Sequence, residues 1–267
     1  MNNIISKCLS SSGIKLWGLC EYTPQLLLNG KKLPKHIAST ASTVIVCAFP
    51  WFAGIPDKRN VSLYAAARDY HTIAGKMLED AVEKLEKEFE HNFFKHFVDA
   101  SPINEVKAGL LSGVGMLGLN RQLISKEHGS MIFIGEIVTD LNLNAKTIKA
   151  KSCEKCMACV NACPTGALTV NGFDISRCRS FITQKKGSLS EWEAEQVSLG
   201  KLAWGCDICT LCCPHNKSLD NSYISEFTKN LTPMVTDENI DALLPIHPYG
   251  WRGREVLSRN LKLISGE

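Results

Sequence analysis

The stretch Cys153-Glu154-Lys155-Cys156-Met157-Ala158-Cys159-Val160-Asn161-Ala162-Cys163-Pro164 decides how the rest of the chain is read. Its cysteine spacings, closed by a proline, are those of the run that holds iron–sulfur clusters in bacterial two-cluster ferredoxins. Short spacings let one tight loop offer three thiolates to one cubane cluster. The fourth cysteine opens the next helix and turns toward a second cluster, while Pro164 stops the loop from folding back. Structural zinc takes four ligands, ordinarily as two separated pairs, so an unbroken run of four favours the cubane.

A partial second copy follows. Cys206, Cys209, Cys213 and Pro214 match the last positions of the same run, but Ala203 stands where its first cysteine belongs. Cys178, upstream, supplies the missing thiol. Counting ligands then assigns Cys153, Cys156, Cys159 and Cys213 to one 4Fe–4S cluster and Cys163, Cys178, Cys206 and Cys209 to the other. Cys212 reads as a small buried residue beside a ligand, and Cys8, Cys20 and Cys47 likewise as packing.

Nine of the 12 cysteines lie between Cys153 and Cys213, whereas a disulfide scaffold spreads its cysteines over a small secreted chain. The first twenty residues carry Lys7 and Lys15 and no apolar signal core. Both features predict metal ligation in a reducing cytoplasm. A chain of 267 residues with 45% hydrophobic and 21% charged residues has globular composition, which excludes a disordered chain. The longest mostly apolar run, Val44 to Pro56, contains two prolines and is too short for a membrane helix, so no membrane partner is expected. A net charge of +3 does not by itself establish a nucleic-acid partner.

Outward from the cysteines, residues 43–49 read as a buried strand ending at Pro50, and Trp51 to Asn60 as a loop broken by Gly and Pro. Residues 61–90 keep helical spacing through Leu63, Ala67, Tyr70, Ala74, Ala81, Leu85 and Phe89 and predict one long amphipathic helix. Phe93 to Val98 reads as a short strand, Asn104 to Leu111 as a short helix, and Met131 to Val138 as a strand interrupted by Gly135. Gly113, Gly115 and Gly118 lack the preceding strand and following acid of a dinucleotide loop and read as a turn-rich segment. Asn142 to Lys151 is a polar linker. Trp192, Trp204 and Trp251 read as packing residues.

Two cubane clusters store and pass single electrons and do little bond chemistry alone. A carrier needs only the cysteine-rich module, and this chain spends most of its 267 residues elsewhere. That points to a second cofactor or a substrate pocket.

Arg177-Cys178, Phe181 through Gly187, Trp204-Gly205-Cys206-Asp207-Ile208-Cys209 and Cys213-Pro214-His215-Asn216 resemble the epoxyqueuosine reductase family. So do Arg68-Asp69-Tyr70-His71, Val98-Asp99, Gly113-Val114-Gly115, Asn120, Gly129-Ser130 and Gly135-Glu136 upstream, and Trp251-Arg252-Gly253 and Arg259-Asn260 downstream. The resemblance runs in one order over residues 35 to 262. It departs from the family's pattern at Ala100-Ser101, where the family has Thr-Gly, at Glu105-Val106, where it has Asp-Arg, and at Leu119, where it has Lys.

The resemblance implies a cobalamin-dependent reductase with two 4Fe–4S clusters that reduces the epoxide of epoxyqueuosine in tRNA to queuosine. It implies an α+β fold, with a cobalamin-binding α/β-type domain (1–150), an appended two-cluster ferredoxin-like module (151–216) and a C-terminal tail (217–267) packing back on the core. It places Arg68, Tyr70, His71, Gly115, Asn120, Gly129 and Ser130 at the cobalamin, and makes Asp99 the acid that protonates the departing epoxide oxygen. An external electron donor such as ferredoxin or flavodoxin would feed the clusters of a cytoplasmic monomer. Full-length members carry helical repeats that help hold tRNA; the chain is expected to be a short member without them. The alternatives are an electron carrier that reactivates a partner's corrinoid, which needs no acid at Asp99, and a corrinoid reductase acting on another small substrate.

Overall fold

Strand Thr43–Pro50 is buried along its whole length, which a strand reaches only when both neighbours and both faces are covered. In the computed structural model, which describes residues 1–266, it lies inside a four-stranded sheet. The chain divides into two compact units, the first made of residues 1–50, 71–118 and 122–154, the second of 51–70, 119–121 and 155 onward.

The first unit opens with helix α1 (Asn2–Ser11) and continues through strands β1 (Leu16–Glu21) and β2 (Thr43–Pro50), helix α2 (Tyr70–Glu88) and strand β3 (Phe94–Val98). Helix α3 (Glu105–Leu111), the small hairpin β4 (Met116–Leu117) and β5 (Leu123–Ile124), and strand β6 (Ile132–Thr139) complete it. The sheet order is β1-β2-β6-β3, antiparallel throughout. Alternation along β2 sorts its side chains. Val44, Val46 and Ala48 enter one cluster with Ile103, Ala108 and Leu110 around α3. Helix α2 presents its buried residues Ala74, Leu78, Ala81 and Leu85 at helical spacing.

Strand β6 is not interrupted at Gly135, contrary to the sequence expectation. The glycine pairs with Cys47 and Val98 in register. A Cβ there would lie 2.8 Å from Leu78 Cδ1 and 3.1 Å from the Phe97 carbonyl oxygen, so the missing side chain is what lets α2 close on the sheet.

The expected helix over 61–90 divides. A short turn, Leu63–Ala66, ends at Ala67, and α2 begins only at Tyr70. The first part belongs to the second unit. There the Leu63 amide donates to Asp207, and the ring of His247 bonds the Ala67 carbonyl through Nδ1 at 2.8 Å. Tertiary partners distant in sequence override the local periodicity.

The second unit is helices and turns: α4 (Ala158–Ala162), α5 (Arg179–Thr183), α6 (Glu191–Gly200), α7 (Ile208–Leu211) and α8 (Arg254–Ser265). A Ser190/Glu193 capping box starts α6. The tail does not stand apart. Helix α8 packs on α6, and Asn260 Nδ2 donates to the carbonyls of Thr183 and Ala203, both at 2.7 Å. Trp204 is the buried centre, donating through Nε1 to Tyr64 Oη at 2.9 Å and meeting Tyr249 edge-on. Trp192 and Trp251, expected as packing, are exposed, and each carries an arginine over its ring, Arg177 and Arg252. Among the described residues no helix is long and apolar enough to cross a membrane.

Candidate active site and cluster ligands

Strand β3 delivers Asp99 at its end, and the chain turns there at once. Asp99 has φ 57°, a left-handed conformation that Asp and Asn tolerate better than most residues. Tight backbone bonds, Ala100 N–H to Val98 O at 2.7 Å and Ser101 N–H to Asp99 O at 2.6 Å, shape the turn. The Asp99 side chain is 60% exposed and its Oδ2 lies 3.2 Å from Nε2 of His71, in the first turn of α2. Two residues expected at the site from sequence are therefore paired.

Behind this pair stand two carboxyls that sequence reading did not assign to the site. Glu105, at the start of α3, accepts the Asp99 N–H at 2.8 Å on Oε1. Glu136, in mid-β6, is fully buried and accepts the Ser101 hydroxyl on Oε1, while its Oε2 has no hydrogen-bond partner among the described residues. The Ile103 N–H in turn donates to Ser101 Oγ at 2.9 Å. Burial, and secondarily the charge of Asp99, pushes Glu105 up to about 7. Burial first and Glu105 second raise Glu136 well above the ordinary carboxylate range. The available signal was an acid inside the otherwise apolar strand Ile132–Thr139.

The remaining residues expected at the cobalamin hold several different positions. Arg68 is exposed, and Tyr70 is half-buried. Asn120 is buried in the second unit and donates through Nδ2 to the Cys209 carbonyl at 3.4 Å. In the first unit Ser130 Oγ donates to Gln122 Oε1 at 2.8 Å. Gly129 takes a positive φ of 54° in a turn closed by the Ser125 N–H. A Cβ at Gly115 would lie 2.6 Å from the Ile124 carbonyl oxygen, so this glycine admits the β4–β5 hairpin. Arg68, Tyr70 and His71 thus carry polar atoms within reach of solvent, as contacts to an amide-rimmed corrinoid require.

Among the described residues no two of the twelve cysteines are joined by a disulfide. In the second unit Cys178 and Cys206 are electrostatic neighbours, and both act on Cys209. Burial, ahead of these neighbouring thiols, pushes Cys209 up to about 12. Cys163 goes the other way. Burial raises it, but hydrogen bonds from Thr165 and nearby backbone outweigh that and lower it, favouring the thiolate. Cys156, Cys159 and Cys213 surround Cys212. Cys153 falls in the first unit, its N–H donating to Leu117 O at 2.9 Å. Between the cysteines Lys155 and Met157 take left-handed φ of 56° and 68°. Such alternation turns backbone N–H groups into a concave, anion-holding nest of the kind that receives iron–sulfur clusters. Among the described residues no three His, Cys, Asp or Glu side chains are placed to hold one metal ion. A cubane asks for something else, since each thiolate binds a different iron. Cysteines in this order, on a nest-forming loop, fit that donor set. Cys20 and Cys47 lie buried in the first unit, where burial pushes Cys20 up to about 12 and Cys47 further.

The family described as Epoxyqueuosine reductase QueG, DUF1730, matches residues 32–100, and the 4Fe-4S double cluster binding domain matches residues 152–216. An epoxyqueuosine reductase of Aliivibrio fischeri is 34% identical over 173 residues, covering 64% of this chain and 46% of the relative. One from Bacillus anthracis is 31% identical over 252 residues, covering 89% of this chain and 64% of the relative. The chain thus spans about half the length of the first of these curated relatives, at 46%. A crystal structure of epoxyqueuosine reductase with an epoxyqueuosine-modified tRNA stem loop superposes with a TM-score of 0.83 at 21% identity, covering 98% of this chain and 80% of that one. At that identity the likeness speaks for the fold.

Proposed function

We infer that this chain, a relative of the epoxyqueuosine reductases, is itself an iron–sulfur reductase acting on the epoxide of epoxyqueuosine in tRNA. The observation that carries the inference is the His71–Asp99 pair at 3.2 Å, in a chain that also carries the double-cluster cysteine frame. An electron carrier needs no such pair.

Asp99 is the general acid. Its carboxyl reaches solvent at the end of β3, as a group that must meet a bulky substrate has to. It gives its proton to the epoxide oxygen as the first carbon–oxygen bond breaks, so that the oxygen stays on the neighbouring carbon as a hydroxyl and not as an alkoxide. Two electrons from the external donor and a second proton, taken from solvent, complete the loss of that oxygen as water and leave a carbon–carbon double bond. His71 orients the Asp99 carboxyl through Nε2 and is a group from which the proton can be replaced. Cys153, Cys156, Cys159 and Cys213 would hold one cluster and Cys163, Cys178, Cys206 and Cys209 the other. The nearness of Cys178 to Cys206 and Cys209 supports the second set. Arg68, Tyr70 and His71 would contact the corrinoid. When bound, the clusters pass single electrons from an external donor such as ferredoxin or flavodoxin and the corrinoid supplies a strongly reducing cobalt.

The test is anaerobic reconstitution with iron, sulfide and cobalamin, then single turnover on epoxyqueuosine-containing tRNA with a chemical reductant, read by mass spectrometry of the nucleosides. Conversion to queuosine is expected. Intact clusters and bound cobalamin without conversion would leave the chain a corrinoid-reactivating carrier.

A further inference from the structure

The turn carrying Asp99 is held by a carboxyl at each end. At one end Glu105 Oε1 accepts the Asp99 N–H at 2.8 Å. At the other, Ser101 donates its hydroxyl to the buried Glu136 and accepts the Ile103 N–H. Glycine, the residue the resemblance leads one to expect at position 101, could make neither side-chain bond, so this clamp depends on the serine of this chain.

Buried carboxyls are costly ornaments unless they do something. A fully buried carboxylate with one oxygen unpartnered is strongly disfavoured, so Glu136 keeps its proton well above the ordinary carboxylate range. The titratable groups that feel it are Glu105 from α3, Cys20 from β1 and Cys47 from β2, and none of them is a cation. Glu105 faces Asp99, which raises its proton affinity, and His71, which lowers it. Interaction between two titrating groups is reciprocal. The more acidic of the two titrates while its partner is still neutral, so with Glu105 protonated up to about 7 its hold on Asp99 is the backbone hydrogen bond and not its charge.

We propose that Glu105 and Glu136 are positioning residues for Asp99, gripping the turn 99–101 at its two ends so that the Asp99 carboxyl stays in place to give its proton. Glu136 acts through Ser101 and sets where the turn lies. Glu105 sets position through the Asp99 backbone N–H. Neither touches the substrate. The proton that reaches the epoxide oxygen comes from Asp99, and neither glutamate loses or gains one in the step. This rests on Asp99 being the acid of the proposed reaction.

The experiment compares the whole chain with Glu105→Gln, Glu105→Ala and Ser101→Ala by amide hydrogen exchange and the pH profile of single turnover. Gln keeps an acceptor for the Asp99 N–H, so exchange at the Asp99 amide should stay near the parent's. Ala removes the acceptor and should speed that exchange several-fold, up to about tenfold, and lower turnover. Loss of the Ser101 hydroxyl should speed exchange at the Ile103 amide several-fold, up to about tenfold, and lower turnover without moving the midpoint of its pH profile. Glu105→Ala that lowers stability while exchange at the Asp99 amide and turnover per folded molecule stay at the parent's level overturns the proposal. So does unchanged exchange in Ser101→Ala. If the parent does not convert epoxyqueuosine at all, the functional reading fails while the exchange results still decide the clamp. If Glu105→Ala does not fold, the Ser101→Ala exchange decides it alone.

Discussion

Asp99 occupies a left-handed backbone position, and that makes its replacement by asparagine unusually informative. Asn is at least as much at home there, so Asp99→Asn should keep the fold, the iron content and the turn. It cannot deliver a proton. Single turnover should fall on the order of a hundred- to ten-thousand-fold, the usual worth of a general acid. Activity within about threefold of the parent would remove Asp99 from the chemistry. A second residue-scale expectation concerns the thiols. Reconstituted protein should hold about eight irons and eight sulfides. Cys178→Ala should cost one cluster, because Cys178 neighbours Cys206 and Cys209. Cys212→Ala should leave iron content and the EPR of both clusters intact. The opposite pattern would exchange the roles of these two cysteines. The cysteine frame was legible because cluster ligation is written in spacing. Glu105 and Glu136 were not, because what matters about them is burial and mutual distance, and strand alternation alone does not reveal which acid faces inward.

At the scale of elements, β2 and β3 could be read because apolar runs bounded by Pro or by turn residues admit few other conformations. The helix expected over 61–90 could not, since its break is imposed from residues more than a hundred positions away. Asp207, one residue after Cys206, pairs with Arg59 at 2.6 Å and accepts the Leu63 N–H at 3.1 Å. Both side chains are largely buried. Arg59→Ala should therefore cost about 3–5 kcal/mol in chemical denaturation, the penalty of stranding a buried charge, and Arg59→Ala/Asp207→Asn should recover part of it. Equal losses in the single and double variants would show that the pair contributes packing and not charge balance. Gly135→Ala is expected to cost about 1–3 kcal/mol by prising α2 from β6, where a Cβ would lie 2.8 Å from Leu78 Cδ1.

For the whole molecule, the raised carboxyls make a statement about pH. Unfolded, Glu105 and Glu136 release their protons near 4.5; folded, Glu105 holds its proton to about 7 and Glu136 holds its own well above the ordinary carboxylate range. The folded state binds more protons across that window, so stability falls as pH rises from about 4.5 to about 7. Glu105→Gln and Glu136→Gln should each flatten that slope in denaturation series run at several pH values, and a slope unchanged in both would mean the carboxyls titrate normally. Acids whose affinity is lowered, such as Glu193 beside Lys185, act in the opposite sense and only at lower pH, as they lose their charge.

The second unit takes residues 51–70 from between two elements of the first. That loan supplies Arg59 to Asp207, Tyr64 to Trp204, and Asn60, whose side-chain amide and oxygen bond both backbone groups of Val235. A gene fragment beginning at Cys153 would encode the thiols without the residues that brace them. Cutting the chain before Cys153 would part Asp207, Trp204 and Val235 from the three side chains that hold them.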